Sequence, residues 1–105
     1  MKLSQLAKKY PKAWKKYYLS KHCEGFFADD DIREYWSYIT DFMDKQGIII
    51  GITFFEEIKI FQGVLDYGGF VGRTDNFKSR SQAETKAIDK AFEILEERSK
   101  IHELD

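Results

Sequence analysis

The fold class is decided near the C-terminus, by the stretch Ser81-Gln82-Ala83-Glu84-Thr85-Lys86-Ala87-Ile88-Asp89-Lys90-Ala91-Phe92-Glu93-Ile94-Leu95. Its apolar residues recur at intervals of three and four, which predicts an amphipathic helix, and the alanines among them let that helix lie close on a sheet. Ser81 and Glu84 have the spacing of a capping box, so we place the helix over 81–98. We expect its polar side to face water through Glu84, Lys86, Asp89, Lys90, Glu93 and Glu97.

The sheet that this helix covers is predicted from the segment before it. Ile48-Ile49-Ile50-Gly51-Ile52-Thr53-Phe54-Phe55 is apolar on both faces, which is typical of a central strand. A second strand follows from Ile58 to Val64, and Asp66-Tyr67-Gly68-Gly69 has the composition of a turn. Phe70-Val71-Gly72-Arg73 begins a short third strand that ends at Thr74. The pattern predicts a three-stranded antiparallel meander.

A further helix is predicted before the sheet, over 31–46. Asp29, Asp30 and Asp31 run consecutively into apolar residues at helical spacing, whereas calcium loops alternate their ligands and contain a glycine turn. Asp31 and Glu34 have capping-box spacing, and Gly47 fits the position just beyond a helix end. We therefore interpret these acids as a helix start and expect no metal site.

The N-terminal segment has the pattern of two short basic helices that meet at Pro11. Ser4 is a candidate N-cap for the first helix, and Trp14 and Tyr17 form an aromatic stripe on the second. Such a stripe either packs on the body of the protein or lies on a membrane surface or a nucleic acid. We favour packing, because this spacing is typical of a core-facing helix.

Charge is segregated along the chain. Residues 1–22 carry seven lysines and no acid, and residues 23–57 carry nine acids against two basic residues. This asymmetry fits three arrangements: a basic arm docked on acidic neighbours, a site for an external polyanion, or a site for a partner protein.

The length of 105 residues fits one domain. We expect a single α+β domain with a basic helical arm over 1–22, an α-β-β-β-α core over 31–98 and a frayed tail over 99–105. In the core, the helices at 31–46 and 81–98 cover one face of the three-stranded antiparallel sheet, and the C-terminal helix packs on it.

Several function classes are disfavoured by what the sequence lacks. It has no apolar run long enough to cross a bilayer and no secretory signal, so we expect a cytoplasmic protein without a membrane. The single Cys23 makes no intramolecular disulfide, and zinc spacings and glycine-rich nucleotide loops are missing. His22 and Cys23 are adjacent, which rarely lets one residue activate the other. We expect no cofactor and no enzyme, with a reaction in an unrecognised pocket as the lesser alternative.

The run from Phe77 to Leu95 resembles the final helix of a double-stranded RNA-binding domain, and the helix, three strands and helix over 31–97 are similar to that domain's order. The resemblance implies that RNA contacts a basic cluster at the start of the last helix, a histidine-bearing loop between the first two strands, and the first helix. Arg80 falls at a basic position of that cluster, whereas Ser81 and Glu84 stand where that family has lysines.

The whole chain also resembles short uncharacterised proteins of phages and mobile elements of gut bacteria. The resemblance lies in Lys9-Tyr10-Pro11-Lys12-Ala13-Trp14, in Phe42-Met43-Asp44-Lys45-Gln46-Gly47-Ile48, in Ser79-Arg80-Ser81-Gln82-Ala83-Glu84 and in Ala91-Phe92-Glu93-Ile94-Leu95. It implies a small accessory role and no particular activity.

We therefore predict a non-enzymatic binding or accessory protein. The first hypothesis is a protein-interaction module whose interface anchors are aromatic, namely Trp14, Tyr35, Tyr38 and Phe70. The alternative is a nucleic-acid-binding domain, similar to the double-stranded RNA-binding family. Its phosphate contacts, which would equally serve a protein partner, are Lys12, Lys15, Lys16, Lys78, Arg80 and Lys86.

Overall fold

The computed structural model describes residues 1–20 and 29–104. In chain order it contains helices α1 (Leu3–Lys9) and α2 (Pro11–Leu19), a 3₁₀ turn (Ile32–Tyr35), helix α3 (Trp36–Lys45), strands β1 (Ile48–Phe55), β2 (Ile60–Tyr67) and β3 (Phe70–Phe77), and helix α4 (Arg80–Leu104). The α+β class and the order of helix, three strands and helix are confirmed. His22 and Cys23 lie outside the described residues.

The sheet is an antiparallel meander in the order β1-β2-β3. Short turns join β1 to β2 and β2 to β3, so β2 is the middle strand and β1 lies at an edge. The prediction that Ile48–Phe55 is a central strand is therefore wrong, although Ile48 is fully buried. β3 continues to Phe77 rather than ending at Thr74, and the register shifts between Gln62 and Val64.

Helix α4 crosses the inner face of the sheet on its alanines, as predicted. Ala83, Ala87 and Ala91 are fully buried, and a Cβ at Gly63 of β2 would stand 2.9 Å from the Ala87 Cβ. The helix begins at Arg80, one residue earlier than expected. Ser79 rather than Ser81 caps this start, since its Oγ accepts a hydrogen bond from the Gln82 N–H at 3.2 Å.

The same helix continues to Leu104, past the expected end at residue 98. Ser99 is buried, and its hydroxyl donates to the Leu95 carbonyl oxygen at 2.9 Å, so this turn is packed rather than solvated. Arg98 extends from α4 to donate to the Gln46 carbonyl oxygen at 2.9 Å, just beyond the end of α3. The last turns of α4 thereby contact the connection between α3 and β1.

The expected helix over 31–46 is divided into the 3₁₀ turn and α3. Asp31 is the cap, as predicted, and its Oδ1 accepts a hydrogen bond from the Arg33 N–H at 2.9 Å. The residues on either side of Asp31 pair with the N-terminal residues. The Leu3 N–H donates to the Asp30 carbonyl oxygen, and the Ile32 N–H donates to the Met1 carbonyl oxygen, both at 3.0 Å. This pairing holds the chain extended immediately before the 3₁₀ turn.

Helices α1 and α2 belong to the main core. Leu3, Leu6 and Tyr17 are fully buried, and the Tyr17 ring lies edge-on to Phe42 of α3 and Phe92 of α4, with centroids 5.2 and 5.9 Å away. The packing interpretation of the aromatic stripe is confirmed, and the described part of the basic arm, residues 1–20, is docked. Helix α1 begins at Leu3, so Ser4 lies inside it and is not its N-cap. Every helix in the part of the chain that the structure describes is too short or too polar to span a bilayer.

Candidate functional site

The six basic residues predicted to contact a partner lie on two helices and one connection. They are Lys12, Lys15 and Lys16 on α2, Lys78 between β3 and α4, and Arg80 and Lys86 on α4. Acids near two of them reduce the local positive charge, because the Arg80 Nε lies 3.9 Å from Glu84 and the Lys86 Nζ lies 3.9 Å from Asp89. Of the six, only Lys86 lines the cleft described next.

A cleft of about 490 Å³ lies between α1, the 3₁₀ turn and the first turns of α4. We call it the N-terminal cleft; its lining residues are Met1, Lys9, Asp31, Arg33, Phe77, Ser81, Gln82, Thr85, Lys86 and Asp89. It brings together three cationic side chains from separate elements, Lys9, Arg33 and Lys86. Neither Lys9 nor Arg33 is among the six predicted contact residues, because only the tertiary fold places them beside α4.

Asp89 is a buried acid of this cleft. The prediction from the helix pattern that Asp89 faces water is therefore wrong. Asp89 is 6% exposed and accepts hydrogen bonds from the Lys9 Nζ and the Tyr10 hydroxyl, each at 3.0 Å. The bond to Asp89 raises the pKa of the Lys9 ammonium. Burial, followed by the bond to Asp89, raises the pKa of the Tyr10 hydroxyl to about 12. At neutral pH, Asp89 therefore binds α1 and Tyr10 to α4.

Glu96 joins α4 to α2 in a different way. Its carboxylate is 4% exposed, and its Oε1 accepts hydrogen bonds from the backbone N–H groups of Lys12 at 2.7 Å and Ala13 at 3.0 Å. These N–H groups belong to the first turn of α2, where Pro11 is the first residue and no side chain of the helix itself forms the cap. An acid on α4 thus caps α2 and complements the positive end of its dipole.

The aspartates at 29–31 each contact a neighbour in the fold, and the Asp29 Oδ1 lies 3.9 Å from the Lys2 Nζ. Burial raises the pKa of the Asp31 carboxyl, but hydrogen bonds from the Arg33 backbone and side chain lower it more, so the net pKa is lowered. Asp30 accepts a hydrogen bond from the Tyr35 hydroxyl at 2.6 Å. In the part of the chain that the structure describes, no group of three or more His, Cys, Asp or Glu side chains is arranged to hold a metal ion.

The four aromatic residues proposed as interface anchors have different environments. Trp14 and Tyr35 are partly buried and pack against the core. Tyr38 is 57% exposed and Phe70 is 70% exposed. The structure therefore leaves Tyr38 and Phe70 accessible to a partner and uses Trp14 and Tyr35 in the fold.

Phe70 lies at the edge of a second concavity, of about 400 Å³, between the β2–β3 turn and the C-terminal half of α4. We call it the hairpin–helix groove; it is lined by Tyr67, Gly68, Phe70, Lys90, Glu93, Ile94, Glu97, Arg98 and Ile101. The turn is made by Gly68 and Gly69, whose φ angles of 59° and 87° suit a tight hairpin. This turn places the Phe70 ring 6.2 Å from the Tyr67 ring, centroid to centroid.

The groove combines an apolar centre with a charged rim. Ile94 is partly buried against the core, whereas Ile101 is 60% exposed. Two basic and two acidic side chains surround these residues, so the rim has no net charge. The arrangement suits an apolar group that carries charges of both signs around it.

Comparisons of the chain with protein-family models, with curated proteins and with solved structures found no match in any of the three. The resemblances to double-stranded RNA-binding domains and to short phage proteins stay predictions.

Proposed function

We propose that this protein is a small interaction module that binds a partner protein in the hairpin–helix groove. The observation that carries the proposal is Phe70, which is 70% exposed although the glycine turn and the Tyr67 ring define its position. Aromatic side chains that are already ordered before binding contribute strongly to interfaces, because little conformational entropy is lost when they are covered.

The chemistry of the groove indicates the kind of partner. Phe70, Ile94 and Ile101 offer apolar contacts, and the rim offers charges of both signs. An amphipathic segment of a protein satisfies both, with an apolar side chain in the groove and charged residues over the rim. A polyanion would gain no net attraction at this rim, because Glu93 and Glu97 offset the charges of Lys90 and Arg98.

The proposal involves binding without catalysis, in the cytoplasm. The two acids that line the N-terminal cleft already accept hydrogen bonds from cationic neighbours, Asp31 from Arg33 and Asp89 from Lys9. Acids paired in this way are typical of structural ion pairs rather than of a general base awaiting a substrate.

The test compares two neighbouring residues on opposite faces of β3. Proteins captured from a lysate are identified, and the candidate partner is purified and titrated against wild type, Phe70→Ala and Val71→Ala. We expect Phe70→Ala to weaken binding by about thirtyfold, as for an interface hot spot, and Val71→Ala to leave it unchanged. Val71 is a suitable control because it is 59% exposed and does not line the groove. Equal affinities for the two variants would contradict the proposal.

A second candidate function, nucleic-acid binding, is favoured by one observation. The N-terminal cleft places Lys9, Arg33 and Lys86 around the first turns of α4, where Ser81 and Thr85 also line the surface. Cationic and hydroxyl groups of this kind contact phosphates. This candidate ranks second because Asp31 and Asp89 lie in the same cleft.

Salt dependence distinguishes the second candidate from the first. Gel shifts with duplex RNA and duplex DNA at low and moderate salt should show affinity that falls steeply as salt rises. Removing two phosphate contacts in an Arg33→Gln/Lys86→Gln variant should lower the salt slope by about two. Lys100→Gln, on the last turns of α4, is the control. No shift at low salt would remove this candidate and leave the protein-binding proposal standing.

A further inference from the structure

β1 is the most apolar strand of the sheet, yet it lies at an edge. It contains no charged residue and no proline, and among the described residues the only strand paired with it is β2. The opposite edge strand, β3, carries Arg73 and Asp75 and joins the sheet through a register shift. Charges and bulges are the usual protection of an edge against pairing with another chain. β3 has this protection, whereas β1 does not.

The exposed apolar side chains of β1 lie on both faces of the strand. Ile49 and Phe55 point to the outer face of the sheet and are 56% and 38% exposed. Phe54 points to the inner face and is 49% exposed. Side chains on both faces, together with a backbone edge that no second strand of the described ranges pairs, are what an additional strand would cover.

We propose that the edge of β1 pairs antiparallel with β1 of a second copy of this chain, which joins two three-stranded sheets into one of six strands. Two copies of β1 carry no like charges to repel one another. Antiparallel pairing about a two-fold axis at Ile52 sets Ile49 of one copy opposite Phe55 of the other, and Ile50 opposite Phe54. Each of these pairs shares one face of the sheet, as antiparallel pairing requires. The exposed apolar residues of the strand therefore cover one another.

This self-pairing uses a different surface from the hairpin–helix groove. β1 and β3 are separated by β2, so the groove beside β3 stays open in the dimer. The inference goes beyond the proposed function, because it gives the module two copies of its partner site. Linked sites of this kind bind a bivalent partner more tightly than one site does.

The test exploits the cross-strand pair between Ile49 and Phe55. In the variant Ile49→Lys/Phe55→Lys each dimer would place two lysines directly opposite two others, whereas Ile49→Lys/Phe55→Glu would place each lysine opposite a glutamate. We expect sedimentation equilibrium to show a dimer for wild type and for the Lys/Glu variant. We expect the dissociation constant of the Lys/Lys variant to be raised by at least about tenfold. Far-UV circular dichroism of each variant as a monomer confirms that it is folded.

Two results would overturn the pairing of β1 with β1 of a second copy. A wild-type protein that is monomeric at every concentration would overturn it. Equal dissociation constants for the Lys/Lys and Lys/Glu variants would also overturn it, because the pairing of Ile49 with Phe55 would then be wrong. If Phe70→Ala loses binding to the partner protein but keeps the wild-type dimer, only the proposed function is affected and this inference stands. If the Lys/Lys variant loses the dimer but keeps binding to the partner protein, the proposed function is likewise shown to be independent of dimerisation.

Discussion

At the scale of single residues, two buried acids on α4 determine how the N-terminal helices attach. Glu96 accepts from two backbone N–H groups of α2, and Asp89 accepts from Lys9 and Tyr10. Both acids are at least 94% buried, so each is stable there only because its charge is matched by donors. Besides its buried apolar side chains, the lysine-rich segment is thus held by backbone groups, Lys9 and Tyr10, while Lys15 and Lys16 stay exposed.

Replacing Glu96 with alanine should lower the free energy of unfolding by about 2 to 3 kcal/mol, because the buried N–H of Ala13 and the partly buried N–H of Lys12 lose a charged acceptor. Urea denaturation measures the change. Glu97→Ala is the matched control, since its side chain is 65% exposed and pairs only with Lys100 among the described residues. A Glu96→Ala protein as stable as Glu97→Ala would show that the cap is unimportant.

Tyr10 makes the stability of the folded protein vary with pH in the alkaline range. Its pKa is raised from 10.0 to about 12, so the protonated form is favoured by folding. The resulting stabilisation is complete below pH 10 and is lost as pH rises towards 12, when a tyrosinate forms beside Asp89. It amounts to about 2 to 3 kcal/mol.

Urea midpoints measured over this pH range should fall less steeply for Tyr10→Phe than for wild type. Tyr38→Phe, at a side chain that is 57% exposed, serves as the control and should follow wild type. Parallel curves for all three proteins would rule out a contribution from Tyr10.

At the scale of elements, α4 lies very close to β2 at Gly63. A Cβ at Gly63 would stand 2.9 Å from both the Ala87 Cβ and the Thr74 Cγ2, and 3.3 Å from the Ala83 carbonyl oxygen. The Gly63 N–H also donates to the Thr74 Oγ1 at 2.8 Å, where the register of β2 and β3 shifts. A glycine is needed here because the helix and a neighbouring side chain occupy the space above it.

Gly63→Ala should therefore destabilise the protein by about 1 to 3 kcal/mol through overpacking. Gly51→Ala is the matched control, because a Cβ at Gly51 of β1 has no neighbour within 4 Å. Thermal or urea denaturation of both variants measures the difference. If both alanines had the same effect, the close contact between α4 and β2 would be disproved.

At the scale of the whole molecule, the arm and the α-β-β-β-α unit share one core. Leu3, Leu6 and Tyr17 are buried together with Phe42 and Phe92, so removing α1 and α2 would expose the faces of α3 and α4 that they cover. The described part of the basic arm, residues 1–20, is therefore not a separate folding unit, and the arm is distinct from the rest of the chain only in its charge.

We expect α2 and the sheet to unfold in one transition. The chain has two tryptophans, Trp14 on α2 and Trp36 at the start of α3, so Trp36→Phe leaves a fluorescence signal from α2 alone. Its urea midpoint should coincide with that of the far-UV circular dichroism of the same protein. Trp14→Phe provides the matching signal from α3. An earlier midpoint for the Trp14 signal would show that the N-terminal helices unfold independently.

The sequence predicted the elements and missed the contacts of particular charges. The alanine stripe of α4, the meander and the packing of Trp14 and Tyr17 follow from local apolar spacing, which is a property of neighbouring residues. The helix pattern predicts that Asp89 faces water, because a carboxylate on an amphipathic helix is usually solvated. Its partner Tyr10 is 79 residues away, and no local pattern shows that distance closing.

The sequence by itself determined which segments are helix or strand and which faces are apolar, since burial imposes its period on adjacent residues. Only the tertiary structure decided that β1 is an edge strand, that Glu96 caps a helix 84 residues distant, and that Phe70 stays uncovered. These outcomes depend on which elements meet, and that is set by the packing of the whole chain rather than by any one segment.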